Sequence, residues 1–405
     1  LLLVPTENNP VTTYTATAAD GTVVHYRDGK RWLWALSVLY PLQPLLGIGM
    51  HALTGTEYWL LLPLAITFAG LSVLDAIIGE DQNNPPEAVV MALERDHYYK
   101  YLTYGAVAMH VASLFGTAWW AANAALSAFG YFALAVVAGM TAGLAINTGH
   151  ELGHKRSRLE RGLSRLALAL PAYGHFTIDH NRGHHIAVAT PEDCASSRMG
   201  ENIYRFAMRE IPGAMRRAWA IERERLALRN RPVWHWSNQI LQSFLLTALL
   251  QGSIVMYFGL SLLPFLLIHN AFAYWQLTSA NYIEHYGLLR SRDTSGRLER
   301  CQPHHSWNSN YLLSNLSLFH LERHSDHHTH PLRRYQSLRH YPDLPTLPTG
   351  YFGAYLLAYV PWLWFRIMNP RLLALPHVQG DLRKVNMHPP YSIKLARQSH
   401  TPRSS

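Results

Sequence analysis

Charged residues are scarce in this chain. Asp, Glu, Lys and Arg make up 15% of 405 residues, while 49% are hydrophobic; soluble domains carry roughly 25% charged residues. That shortage excludes a set of ordinary water-soluble domains, which length alone would allow. Cysteine is almost missing: Cys194 and Cys301 are the only two and form no CxxC pair. A disulfide framework and a four-cysteine iron–sulfur or rubredoxin-type site are therefore excluded. The formal charge of +9 comes with no zinc finger or aromatic-interleaved basic module, so nucleic acid is not expected as a partner. The first 28 residues lack a basic segment leading into a short apolar core, and no cleavable signal peptide is expected. Internal repeats and low-complexity tracts are also missing.

The apolar residues instead fall into long runs, and the near-zero mean hydropathy of −0.05 averages these with an Arg- and His-rich remainder. A spanning helix needs about 20 mainly apolar residues. Six stretches qualify: 32–53, 59–78, 101–120, 124–147, 240–259 and 261–277. The expected fold class is an all-α integral membrane protein with about six transmembrane helices and a cytoplasmic helical cap. Residues 1–30 form an N-terminal cytoplasmic segment, and 31–290 the spanning region with a large insertion at 148–239. Residues 291–391 form a cytoplasmic C-terminal region, and 392–405 a flexible tail. Pro41, Pro44, Pro63 and Pro264 lie inside spans, where proline is tolerated.

Lys and Arg set the orientation. They populate the N-terminal flank, the 79–100 loop, the 148–239 segment and the C-terminal part. The short links near 54–57, 120–124 and 259–260 contain none. With six spans, every basic segment and both termini fall on the cytoplasmic side, as expected for an inner-membrane protein of a bacterium. The apolar stretches 163–173 and 351–368 are read as interfacial or re-entrant: the first is too short to cross, and Pro361 and Arg366 interrupt the second.

Histidines then recur at helical spacing. His150 and His154 frame the HELGH stretch; His180, His184 and His185 lie in HNRGHH; His324, His327 and His328 lie in HSDHH; His285 closes NYIEH. Residues at i, i+3 and i+4 share one helix face, so each box aims two or three imidazoles at one point. One transition metal takes roughly four to six ligands, so nine candidates argue for two metals. Glu151, Asp179, Glu284, Glu322 and Asp326 stand beside them. Ligating histidines usually donate their second N–H to such groups, so these carboxylates are expected to support the ligands, Glu284 keeping a second reading as a direct or bridging ligand. His110 and His269 lie within spans and are read as neutral packing residues. His304 and His305 are assigned structural or supporting roles, and His175 a supporting role at most. Asp75 is read either as part of the site mouth or as helix-end solvation.

At these motifs the chain resembles the membrane-bound alkane 1-monooxygenases, the histidine-box non-haem di-iron hydroxylases related to membrane fatty acid desaturases. The matching segments are NTGHELGHK (147–155), DHNRGHH (179–185), LTSANYIEHYGLL (277–289), PHHSWNSN (303–310) and LERHSDHH (321–328), and the likeness runs from about residue 30 to 375. Asp179 stands where such enzymes often have Glu, and Glu322 where Gln is common. The resemblance implies terminal hydroxylation of medium-chain n-alkanes to primary alcohols with O2 at two irons. It also implies electrons from rubredoxin, a separate chain or a fused domain, itself reduced by an NAD(P)H-dependent rubredoxin reductase. The residues agree: zinc has no redox chemistry, whereas imidazole-ligated iron can activate O2. A narrow apolar channel is expected to position the terminal methyl. The donor is expected on the cytoplasmic basic surface of 198–231, using Arg205, Arg209, Arg216 and Arg217, unless these arginines only enforce topology and meet lipid headgroups.

Other readings stay open from the residues alone. A histidine-box desaturase or xylene-type hydroxylase shares the boxes. HELGH also matches a zinc protease, with Glu151 as general base, although such an enzyme needs three protein ligands rather than nine. A metal transporter would place ligands in mid-span, whereas these boxes sit at or beyond span ends.

Overall fold

The computed structural model describes residues 12–389, so the expected tail at 392–405 lies outside the described residues. The chain is predominantly helical, and a helix stands at each of the six expected places. Four are long and apolar enough to cross a membrane: Arg31–Thr54, Glu57–Ile78, Ala128–Gly153 and Gln239–Phe258. His97–Asn123 and Leu262–Glu284 are as long but too polar to meet the same measure. Burial separates the inner from the outer helices. Ala128–Gly153 is 67% buried over its most apolar window, whereas Glu57–Ile78 and Gln239–Phe258 are 11% and 17% buried. Their outward residues are large and apolar: Ile77 is 74% exposed and Met256 90%. Water would not tolerate so continuous an apolar surface, but lipid would. The protein is therefore a membrane protein.

The centre of the bundle is the contact between Ala128–Gly153 and Leu262–Glu284. A side chain at Gly139 would lie 2.4 Å from the His269 carbonyl oxygen, so the backbones touch where only glycine fits. The remaining elements gather at one end. Arg158–Ala169 packs Ala167, Leu168 and Ala169 inward and turns its arginines out. Ile203–Ala227 packs across Leu262–Glu284, with Phe206 against Tyr282. The stretch read as interfacial at 351–368 is two helices, Tyr351–Ala358 and Pro361–Leu373, broken at Pro361.

One feature departs from the all-α expectation. Thr13–Thr17 and Val23–Arg27 form an antiparallel hairpin, Thr13 opposite Arg27. The alternation in TYTAT and VVHYR and the Asp20-Gly21 turn, with Gly21 at φ +86°, are the local cause. Tyr14 is buried at the start of His97–Asn123, where its hydroxyl donates to Asp96 at 2.6 Å.

Candidate metal centre

Four segments carry the box histidines to one place. Ala128–Gly153 delivers His150 in its last turn, and His154 caps it. His285 follows the end of Leu262–Glu284. His324–Thr329 is a short helix bearing His324, His327 and His328. The HNRGHH segment is the unexpected one. In a regular α-helix His184 would share the face of His180, and His185 would point about 140° away from His180. Here the amide of His185 bonds the carbonyl of His180, five residues back, so the backbone makes a wide π turn over His180–His184. That turn brings His185 round beside His180 and leaves His184 on the side of the other group.

All nine histidines converge, in two groups. His150, His154, His180, His185 and His327 form one; His184, His285, His324 and His328 form the other; within each, one ring nitrogen per residue lies within 4.8 Å of the rest. In the five-membered group, Nε2 of His150 is 2.9 Å from Nε2 of His327, and Nε2 of His185 is 3.0 Å from Nε2 of His180. In the four-membered group, Nε2 of His324 is 3.2 Å from that of His285 and 3.0 Å from that of His328. Segments 180–185 and 324–328 feed both groups.

Two second contacts fix the ring form. Nδ1 of His184 donates to Asp193 Oδ2 at 2.9 Å, leaving its buried Nε2 without a protein partner. Nδ1 of His285 donates to the His305 carbonyl at 3.1 Å. Both rings therefore turn the lone pair of Nε2 inward, the neutral form that ligates a metal. Burial lowers the proton affinity of His180, His185, His324, His327 and His328, and repulsion among the rings adds to it. Buried imidazole nitrogens that face one another with few competing donors suit bound cations. Histidine nitrogen without cysteine points to a transition metal.

The carboxylates behave differently from expectation. Of the five beside the boxes, only Glu284 faces a box imidazole, its Oε2 3.4 Å from Nε2 of His324 and its Oε1 unpaired. Glu151 pairs with Lys155 at 3.0 Å. Asp179 is held by Arg217 at 2.6 Å and 2.9 Å. Glu322 accepts from the amides of Tyr311 and Tyr351, and Asp326 binds Arg333 and His330. Helix geometry explains this: a side chain next to a ligand in sequence points about 100° away from it. These four brace the segments that carry the ligands. The carboxylate that does reach a ligand, Asp193, lies in the loop after the box. Burial would push its carboxyl up, but His184 and Arg217 outweigh burial and hold it well below the usual range.

Arg217 is thus an internal residue. It bridges Asp179 and Asp193, at 2.5 Å from the latter. Arg209 is likewise engaged, donating to Glu201 at 2.9 Å and 2.8 Å. Of the four arginines expected to dock a partner, only Arg205 and Arg216 are exposed. Asp75 is neither at a mouth nor solvated: it caps the Leu312–Ser317 helix, accepting from the amide of Leu313 at 2.8 Å. His175 packs against Tyr173, ring centroids 4.3 Å apart and tilted by 52°, outside both groups. His304 and His305 form a separate group with Glu299. Arg323, 1% exposed, precedes the last box and is fully engaged. It donates to Asn310, Leu338, Asp81 and Asn83. Asp81 also pairs with Lys30.

Of the cavities that reach the histidines, two are large. One, of about 790 Å³, runs among the apolar side chains of Leu64, Phe68, Leu144 and Phe352 and ends on His150, His180, His324 and Glu284. The other, of about 1360 Å³, is polar and reaches His154.

Residues 126–351 match the fatty acid desaturase family. The chain is 51% identical to alkane 1-monooxygenase 1 of Alcanivorax borkumensis over 365 residues, 90% of each protein. It is 52% identical to an alkane 1-monooxygenase of Pseudomonas putida over 363 residues, 89% of this chain and 90% of the other. A xylene/toluene monooxygenase hydroxylase component of Pseudomonas putida is 30% identical over 225 residues, 55% of this chain and 59% of the other.

Proposed function

The chain belongs to the alkane 1-monooxygenase family, and on that premise we propose that it hydroxylates the terminal methyl of medium-chain n-alkanes. The balance is n-alkane, O2, two electrons and two protons in, primary alcohol and water out. The observation that carries this reading is the apolar cavity that ends on His150, His180 and His324. An alkane offers no acid, base or electrophile for polar catalysis, so the reaction needs an oxidising metal beside an apolar chamber.

The nine histidines would hold two irons, five on one and four on the other. Irons bound there would supply the activation of O2 and the oxidising power for an unactivated C–H bond. The protein's own residues do the rest. Leu64, Phe68 and Phe352 exclude water and align the chain. Asp193 and the His305 carbonyl keep His184 and His285 in their ligating form. Glu284, buried at the end of the cavity, faces His324. The electrons come from rubredoxin, reduced by an NAD(P)H-dependent reductase. The protein crosses the bacterial inner membrane six times, His97–Asn123 and Leu262–Glu284 included, with the histidines on the cytoplasmic side. The burial of Leu262–Glu284 behind other helices supports this count, since a shielded span tolerates polar residues.

The test is metal content of the detergent-solubilised protein together with turnover of octane, O2 and reduced rubredoxin. About two irons per chain and 1-octanol are expected. One zinc with no oxygenated product would overturn the reading. An alkene or a methyl-hydroxylated arene as the preferred product would move it to a desaturase or a xylene-type hydroxylase.

A further inference from the structure

A third set of imidazoles lies outside both histidine groups. One ligand atom from each of Glu299, His304 and His305 lies within 4.8 Å of the others. The His304 and His305 rings stand 4.2 Å apart, and His377 brings its ring to 4.5 Å from that of His304. Three separate segments deliver these side chains, and each is fixed by its backbone. Pro303–His305 is a single 3₁₀ turn. The Glu299 amide donates to the Ser291 carbonyl at 3.1 Å, and Nε of Arg290 donates to the Glu299 carbonyl at 3.0 Å. His377 sits in the turn after Pro361–Leu373, where the Val378 amide donates to the Leu375 carbonyl at 2.9 Å.

Hydrogen bonds separate the roles of these histidines. Nδ1 of His305 accepts from the Gln302 amide at 2.9 Å, so the proton of the neutral ring lies on Nε2. That N–H faces Oε1 of Glu299 at 3.3 Å, too poorly aimed for a full hydrogen bond. His305 therefore steers the carboxylate electrostatically and has no lone pair to offer an ion. His377 is different. Its Nε2 is buried and, among the described residues, has no hydrogen-bond partner, a costly state for a nitrogen unless something binds it.

We propose that Glu299, His304 and His377 bind a third divalent transition ion, zinc by preference, with His305 positioning the carboxylate. Two imidazoles and one carboxylate leave the fourth tetrahedral position to water. Magnesium and calcium want oxygen ligands throughout, whereas imidazole suits zinc. This inference does not rest on the hydroxylase reading. The ion would tie the 299–305 segment to the turn that carries His377. The His305 carbonyl in that segment takes the Nδ1 proton of His285, so the tie would stiffen the backbone that orients one member of the four-histidine group.

The test uses the full chain in detergent, dialysed as purified against buffered zinc, with zinc and iron counted separately. The unaltered protein is expected to hold about one zinc per chain beyond its iron. His304→Ala and His377→Ala should each weaken that zinc by at least about 100-fold, since loss of a mere supporting partner already costs 10- to 100-fold. Glu299→Gln should weaken it in the same direction. Iron content should stay the same in all three. Because removing a packed ring can disturb the fold, melting is measured with and without zinc: zinc should raise the midpoint of the unaltered protein and not of the variants. Zinc retained by His304→Ala or by His377→Ala overturns the site, as does absence of the extra ion from the unaltered protein at about 100 μM free zinc. Equal loss from His235→Ala, which removes a histidine outside the cluster, means an adventitious ion only and also overturns it. A protein that holds no iron, yet binds zinc and loses it in these variants, sinks the hydroxylase reading and supports this site.

Discussion

Asp193 accepts a hydrogen bond from Nδ1 of His184 at 2.9 Å, and this contact decides which nitrogen of His184 faces the four-histidine group. Arg217 and Ser196 hold the carboxylate in turn, at 2.5 Å and 2.7 Å. Loss of such an outer partner typically costs 10- to 100-fold in metal affinity. Asp193→Ala should therefore weaken metal binding by about 10- to 100-fold. Competition with a chelator, read by metal analysis, checks it. An unchanged chelator midpoint would show that His184 needs no orienting partner.

The two histidine groups predict separable losses. His154→Ala removes a member of the five-histidine group and His328→Ala one of the four-histidine group. Each should lower metal content from about two to about one per chain, and the double variant should hold almost none. If either single variant emptied both positions, the groups would be one cooperative site.

Arg323 is buried, and every nitrogen of its guanidinium is engaged. Removing one partner of a buried charge network costs about 3–5 kcal/mol, because the remaining charges stay desolvated. Arg323→Ala should lose about that much stability, leaving Asp81 with Lys30 and His320 alone. Thermal inactivation in detergent measures it. A shift no larger than that of an exposed arginine such as Arg229 would contradict a structural role.

Glu210 gives a pH dependence. Burial pushes its carboxyl up to about 7 from 4.5, helped by Asp179 and Asp193, while Thr278 and Asn281, which donate to it, oppose the shift. A folded-state value above the unfolded one favours the protonated form in the folded protein. Its contribution is complete below about pH 4.5 and is lost as pH rises through about 7. Relative to Glu210→Gln, the unaltered protein should lose up to about 3 kcal/mol between those limits. Parallel melting curves for both proteins from pH 5 to pH 8 would refute the assignment.

Much of this centre was legible in the sequence. Spacing selected the histidines of the three boxes, because i, i+3 and i+4 map onto a helix face whatever surrounds it, while His285 came from the NYIEH stretch as a single residue. The apolar runs located the six long helices for the same local reason. Spacing did not divide the nine into five and four, since that division depends in part on a π turn that pairs His180 with His185, a separation ordinary helical spacing does not select. Asp193 was missed because it reaches His184 from a loop, where no periodicity applies. Arg217 was misread as surface: a cation in sequence carries no mark of the two carboxylates that will bury it. The hairpin at Thr13–Thr17 and Val23–Arg27 was hidden by its shortness, though its alternation was present.

The π turn at His180–His184 also bears on how this protein can change. Each residue of a helix advances the side-chain direction by about 100°. Deleting one residue between His180 and His184 would therefore close the turn to an ordinary one, in which His180 and His185 stand four apart and still share a face. Substitution is the more restricted change: Gly183 is buried, and a Cβ on it would meet the Arg217 guanidinium that braces Asp179 and Asp193.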